Sequence, residues 1–319
     1  MKVKHIYILL LVLSFGIESC VKKNLKAIDD NNKVYDPDIS LNKIFYSVSS
    51  NNQREVYEIN PDGSEKINIT NTPYRNEDYP SVSHDAKRIA YTSGDRLFQS
   101  AIDGSDEVEI TNNSIFSTRE FTPTFLSWSD KSNFITFNNT KDTTNHYVDS
   151  QYDTKIKKSI TSSFKNDQGY VSTYINFSPV EDKVVFVNRH YVNPFIGISV
   201  NWSSLEIANL KGENDSSAVI ISPEGVITKL SFFKDGESLL YQFGNSISMI
   251  DVTSENNINL VNQGSGEEIS GFSASPDGTQ IVYSSNISGN YELYILTIDS
   301  KEVTQLTNTV EDELHPFWN

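Results

Sequence analysis

The feature that most limits what this chain can become is a degenerate unit that recurs six times between Lys43 and Asn319. Each copy carries a proline or apolar residue, a bulky residue, a serine and then a turn that usually contains aspartate. The copies are Pro80-Ser81-Val82-Ser83-His84-Asp85, Ser127-Trp128-Ser129-Asp130, Asn176-Phe177-Ser178-Pro179, Ser231-Phe232-Phe233-Lys234-Asp235-Gly236, Ser273-Ala274-Ser275-Pro276-Asp277-Gly278 and Pro316-Phe317-Trp318-Asn319. With Val82, Trp128, Phe177, Phe232, Ala274 and Trp318 as anchors, the spacings are 46, 49, 55, 42 and 44 residues. A period in this range, with several strands in each unit, is the signature of propeller blades.

The strands of a unit are legible one by one. Runs of β-branched and aromatic residues follow the anchors, as in Arg88-Ile89-Ala90-Tyr91-Thr92 and Gln280-Ile281-Val282-Tyr283-Ser284. A third strand follows, as in Glu55-Val56-Tyr57-Glu58-Ile59, then a tight turn such as Pro61-Asp62-Gly63-Ser64, because Asp-Gly tolerates the positive φ of a hairpin turn. A short fourth strand ends in an apolar residue and threonine, as in Ile69-Thr70 and Leu306-Thr307. The expectation is an all-β, six-bladed β-propeller with four-stranded blades over residues 43–319. The first unit starts at its second strand and the last supplies only a first strand. The ring is therefore expected to close by pairing of the C-terminal strand, Pro316 to Asn319, with the N-terminal blade, which removes the open edges of an unclosed array.

Residues 1–19 read as an export signal, with Lys2 and Lys4 before an apolar run from Ile6 to Ile17. The run is shorter than the roughly 20 apolar residues that span a bilayer. Ile17-Glu18-Ser19-Cys20 resembles a bacterial lipobox, so Cys20 is the expected lipidation site and residues 20–42 the tether. Cys20 is the only cysteine, which excludes an intramolecular disulfide. The formal charge of -16 argues against nucleic acid as a partner, since phosphate-backbone binding depends on Lys and Arg.

The repeat resembles the TolB-type propeller repeat. The match rests on Tyr57, Asp62-Gly63, Ile69-Thr70, Pro80, Ser83 and Asp85 at one end, and on Tyr294, Asp299, Leu306-Thr307, Pro316 and Trp318 at the other. This resemblance implies the fold. It does not imply an activity, because the motif is shared by scaffolding proteins, peptidase accessory domains and carbohydrate-active enzymes.

In an array of repeats, what breaks the pattern is the better functional candidate. Turns after first and third strands share one face, and the irregular connectors after second and fourth strands gather at the channel mouth on the other. The largest deviation there is an expected loop insertion carrying Arg189, His190, Tyr191 and Phe195 ahead of Trp202, a set that combines contact area with hydrogen bonding. Tyr74, Arg75 and Arg119 lie in connectors of the same face. Recurrent acidic residues before the anchors, among them Glu77-Asp78 and Glu311-Asp312-Glu313, read as blade packing. No histidine has metal-ligand spacing, no Gly-x-Ser-x-Gly elbow or phosphate loop occurs, and neither metal nor cofactor is expected.

The sequence thus predicts a non-enzymatic lipoprotein of the bacterial cell envelope, held at the outer membrane by its lipid anchor, whose propeller binds an envelope protein. The alternative is a carbohydrate-active propeller, a glycan binder or a lyase of the oligogalacturonate kind. In that case Arg189, His190, Tyr191 and channel-mouth carboxylates hold the substrate.

Overall fold

The computed structural model describes residues 27–28, 34–35, 41–111, 123–128, 134–139, 145–149, 158–159, 171–179, 183–191, 200–209, 218–221, 226–233 and 235–319, some strands of the middle sheets by their backbone alone. The leader, Cys20, Arg119 and Phe195 lie outside the described residues. The chain divides into Met1–Asp36 and Pro37–Asn319. In the first unit Ala27–Ile28 pairs antiparallel with Val34–Tyr35.

In the second unit every regular element among the described residues is a strand, and the strands form six four-stranded antiparallel sheets. Sheet 1 runs Asp312–Trp318, Ile44–Ser50, Gln53–Ile59, Ile67–Asn68. Sheet 2 runs Glu77–Val82, Arg88–Ser93, Arg96–Ala101, Val108–Glu109. Sheet 3 runs Pro123–Trp128, Phe134–Asn139, Asn145–Asp149, Lys158–Ser159. Sheet 4 runs Val171–Phe177, Lys183–Tyr191, Val200–Asn209, Ala218–Ile221. Sheet 5 runs Ile227–Phe232, Ser238–Phe243, Ser246–Asp251, Asn257–Asn262. Sheet 6 runs Ile269–Ala274, Gln280–Ser285, Glu292–Thr297, Val303–Gln305. The first-named strand of each sheet packs against its counterparts in the neighbouring sheets and lines a central channel. This is an all-β propeller with four-stranded blades.

The apolar cores lie between sheets. Phe45 and Val56 of sheet 1 pack with Val82, Ile89, Tyr91 and Phe98 of sheet 2, and Leu240 and Ile247 of sheet 5 pack with Phe272, Ile281 and Leu296 of sheet 6. A blade cannot bury its face alone, so each one needs a neighbour on both sides.

The repeated residues do repeated work. The apolar-threonine pair at the end of the fourth strand buries Ile69 or Ile110, while the threonine hydroxyl accepts a third-strand N–H: Val56 N to Thr70 Oγ1 at 3.0 Å, Leu97 N to Thr111 Oγ1 at 3.0 Å, Leu293 N to Thr307 Oγ1 at 2.8 Å. The serine after the anchor holds the next turn. Ser83 Oγ donates to Asp85 at 2.6 Å and accepts Arg88 N at 3.0 Å, and Ser275 does the same with Asp277 and Gln280. In the third-to-fourth turn Gly104 takes φ +84°, and a Cβ there would stand 2.2 Å from the Ile69 carbonyl oxygen, so both conformation and space call for glycine.

Sheet 1 takes its strands from both ends of the unit. Residues Asp312 to Trp318 pair with Ser49 back to Ile44, and Lys43 and Asn319 exchange two backbone hydrogen bonds of 3.0 Å. The inner strand is longer than the expected Pro316 to Asn319, because a bulge between Leu314 and Phe317 carries it past a proline that has no N–H to offer the ladder. Trp318 is 5% exposed and donates Nε1 to Asn42 Oδ1 at 3.1 Å.

The recurrent acids sit in the joints between sheets. At the joint of sheets 1 and 2, Thr72 N donates to Glu55 at 3.0 Å and Thr72 Oγ1 to Glu77 at 2.7 Å, with Arg75 Nε 2.9 Å from Glu77. The joint of sheets 6 and 1 repeats this. Thr309 N donates to Glu292 at 2.7 Å and Thr309 Oγ1 to Glu313 at 2.8 Å, but the nearest cation, Lys66 Nζ, is 3.5 Å away. Glu292 Oε2 is buried and without a hydrogen-bond partner while both acids are ionised. Burial, and then the neighbouring Glu292, push the Glu313 carboxyl up to about 7, so a proton held by the pair supplies the missing donor.

Two measurements follow from the sheet 1 strands. Trp318→Ala is expected to lower unfolding stability by about 3–5 kcal/mol in urea titrations, through the large cavity it opens in the sheet that joins both ends; a loss under about 1 kcal/mol would show that sheet to be peripheral. Because the folded Glu313 pKa is raised, its contribution is present below the ordinary carboxylate pKa and lost as pH climbs through about 7. Stability is expected to fall between pH 5 and pH 7, with a ceiling of about 3 kcal/mol for this group. Glu313→Gln should flatten that decline, and an equally steep decline in the variant would assign it elsewhere.

Candidate functional site

The residues singled out by the sequence are dispersed. Arg189, His190 and Tyr191 are not in an irregular loop: the second strand of sheet 4 continues through them, and the register pairs Arg189 with Ser203, His190 with Trp202 and Tyr191 with Val200. The insertion lengthens the hairpin instead. Its strands have 9 and 10 residues where those of sheet 2 have 6, so the ladder reaches roughly 10 Å further at about 3.3 Å per residue. Aromatic and β-branched residues at 190, 191, 200 and 202 favour that extension. Tyr74 is 95% exposed on the connector face. Arg75, by contrast, is consumed internally. It forms a fork with Glu107 at 2.9 and 2.6 Å and lies 4.5 Å over the Phe98 ring.

The channel itself holds the stronger constellation. Its two ends differ. At the end bearing the inner-to-second turns, the anchors Val82, Trp128, Phe177, Phe232, Ala274 and Trp318 surround a cavity of about 90 Å³. At the connector face a cavity of about 50 Å³ is lined by Tyr79, Asn176, Lys229, Phe272, His315 and their neighbours.

Backbone bulges place these mouth residues. The inner strand of sheet 2 shifts register between Asp78 and Ser81, and that of sheet 1 between Leu314 and Phe317. Tyr79 and His315 occupy equivalent positions in these bulges, each just ahead of a proline, with φ of +52° and +51°. Such backbone is costly for residues other than glycine and is held here by what surrounds it. Their rings stack at 4.0 Å with 20° between planes.

Asp78 organises the mouth. Its carboxylate accepts Ser47 Oγ at 2.7 Å, its neighbour Tyr79 N at 2.9 Å and the Arg54 guanidinium, and it lies 2.6 Å from His315 Nδ1. Burial alone would raise this carboxyl, but His315, Arg54 and Ser47 outweigh it and hold the group well below the usual carboxylate range. With Nδ1 fixed, His315 keeps Nε2 without a hydrogen bond among the described residues.

Lys229 occupies the matching inner-strand position in sheet 5. Its side chain is half-buried and lines the channel cavity. Burial pushes it down to about 7, against the opposing pull of Asp78. Nζ lies 5.0 Å over the Phe272 ring, and among the described residues it makes no hydrogen bond or ion pair. The neighbouring position in sheet 6 is Gly271. A Cβ there would stand 2.7 Å from Lys229 Nζ and 2.9 Å from His315 Cα, so the missing side chain is what admits the ammonium.

Lys229, Asn176, Asp78, Arg54 and His315 did not emerge as site residues from sequence. One signal was available: in the aligned units the position three before each anchor reads Tyr79, Phe125, Tyr174, Lys229, Gly271, His315, and the lysine beside a glycine breaks an otherwise aromatic series. Among the described residues no group of three or more His, Cys, Asp or Glu side chains is placed to hold a metal ion.

No family model matches the chain, and no curated protein matches it. Solved structures do. TolB from Acinetobacter baumannii superposes with a TM-score of 0.66 at 15% identity, over 87% of this chain and 66% of that one, so the chain spans just under two thirds of its length. A structure of a nidogen/laminin complex gives 0.62 at 9% identity, over 86% and 93%. An oligogalacturonate lyase in complex with manganese gives 0.51 at 14%, over 83% and 73%. At these identities the likeness shows the fold, a TolB-like β-propeller.

Proposed function

We propose that this chain is a TolB-like binding propeller of the bacterial cell envelope, with the six sheets as blades of one closed ring. In this reading residues 1–19 are a lipoprotein signal peptide, Cys20 carries the lipid, residues 20–42 form the tether and residues 43–319 hold a protein partner without transforming it. The observation that carries the reading is the mouth at the connector face, where Lys229 stands without an anionic contact beside the Tyr79–His315 stack and Tyr74 is exposed on the same face. Aromatic side chains beside a desolvated charge are what protein interfaces use as anchors. A carbohydrate ligand is the second reading, favoured by the same cation, which suits an acidic sugar. An array of neutral and acidic glycans, probed with and without divalent metal, separates the two classes.

The protein-partner reading is tested by replacing Tyr74 with a benzophenone amino acid, irradiating the full chain in envelope extract and comparing it with the same replacement at Asp103 on the opposite face. A discrete protein adduct from position 74, at least tenfold above that from position 103, is expected. No adduct, or equal adducts from both faces, would overturn the reading.

A further inference from the structure

We infer that Lys229, Asn176 and His315 form a receptor for a single carboxylate group at the channel mouth. The inference rests on the binding reading above and gives the ligand its chemistry.

Three sheets contribute one polar group each. Lys229 supplies a cation from sheet 5, Asn176 an amide from sheet 4 and His315 its Nε2 from sheet 1, and all three line the same cavity of about 50 Å³. None of the three polar ends makes a hydrogen bond among the described residues. A buried ammonium without a partner is costly, and proteins keep such groups where a ligand completes them. The charges around the cavity favour an anion. Arg54 and Lys229 are positive, and the acid that faces them, Asp78, already serves Ser47, Arg54 and His315. With the Nδ1 side of the ring engaged by the Asp78 carboxylate, Nε2 is the nitrogen left for a ligand, and it donates to a carboxylate when both ring nitrogens carry protons, the form in which His315 and Asp78 pair as ions.

Size narrows the choice. The cavity of about 50 Å³ has room for a flat group of three heavy atoms. The Phe272 ring lies 5.0 Å from Nζ, and both residues line the cavity. Gly271 is the device that sets this geometry, since any side chain there would push Nζ away. The carboxylate can come from an acidic side chain or terminus of a protein partner, or from a free small acid.

The test is a set of thermal melts of the full chain in sodium acetate against sodium chloride at equal ionic strength, repeated with a blocked tripeptide carrying one aspartate. A saturable rise in Tm on the order of 3 °C at tenfold excess over Kd is expected for the wild type, and none for Lys229→Met. A rise with acetate alone assigns the site to a free acid, and a rise with the tripeptide assigns it to a peptide carboxylate. Absence of any saturable rise, or an equal rise in Lys229→Met, overturns the inference. Should that variant not fold, Asn176→Asp places a carboxylate against the ammonium from within and is expected to abolish the acetate response; an unchanged response overturns the inference. A position-74 adduct without any carboxylate response would leave the partner reading standing and remove this one. A carboxylate response without an adduct would do the reverse.

Discussion

Everything in the propeller unit depends on the pairing of residues 312–318 with residues 44–50. Each core lies between two sheets, so an unclosed row of blades would leave its first and last faces wet and its edge strands unpaired. Sheet 1 answers both needs with strands from opposite ends of the unit, tied by the reciprocal Lys43–Asn319 hydrogen bonds and covered by Trp318. The same pairing builds the site, because His315 is brought within 2.6 Å of Asp78, 237 residues away in sequence, only when the last strand is in register.

That register is guarded by acids. The joint of sheets 1 and 2 and the joint of sheets 6 and 1 use one design, in which a threonine bridges two glutamates by its N–H and hydroxyl. Arg75 compensates the first joint at 2.9 Å, while the second has Lys66 at 3.5 Å; each joint keeps one buried glutamate oxygen, Glu77 Oε2 or Glu292 Oε2, that no donor reaches. Burial raises a carboxyl at both joints, Glu77 at the first and Glu313, up to about 7, at the second, so both answer pH in the same direction and the joint that links the ends is the more sensitive.

The architecture was legible because its causes are local and repeated. Asp-Gly turns, apolar-threonine pairs and Ser-x-Asp turns each satisfy a nearby backbone group, so they recur wherever a blade recurs, and residues such as Thr70, Thr111 and Thr307 announce themselves at the same point in the unit. The site was less legible because its cause is long-range. Arg75 looks like an exposed contact residue in sequence, yet Glu107 and Phe98 absorb it after folding. Residues 189–191 read as a loop until the register with residues 200–203 shows a ladder. Lys229 has no partner of its own in sequence, and only folding sets it beside Gly271 at the channel cavity.

A cationic site in a chain of net charge -16 has a consequence for how it selects ligands. The summed field repels anions at a distance, but at physiological ionic strength that field decays over about 8 Å, whereas a desolvated ammonium acts at contact and is screened little. Long-range steering therefore gives an acidic ligand no help, and whatever binds must first reach the mouth by other contacts. The exposed Tyr74 and the stacked Tyr79 and His315 on the same face offer such contacts. A carboxylate carried on a larger partner can use them, while a free small acid meets only the repulsion before it meets Lys229, and this asymmetry favours the peptide-borne group over the solute.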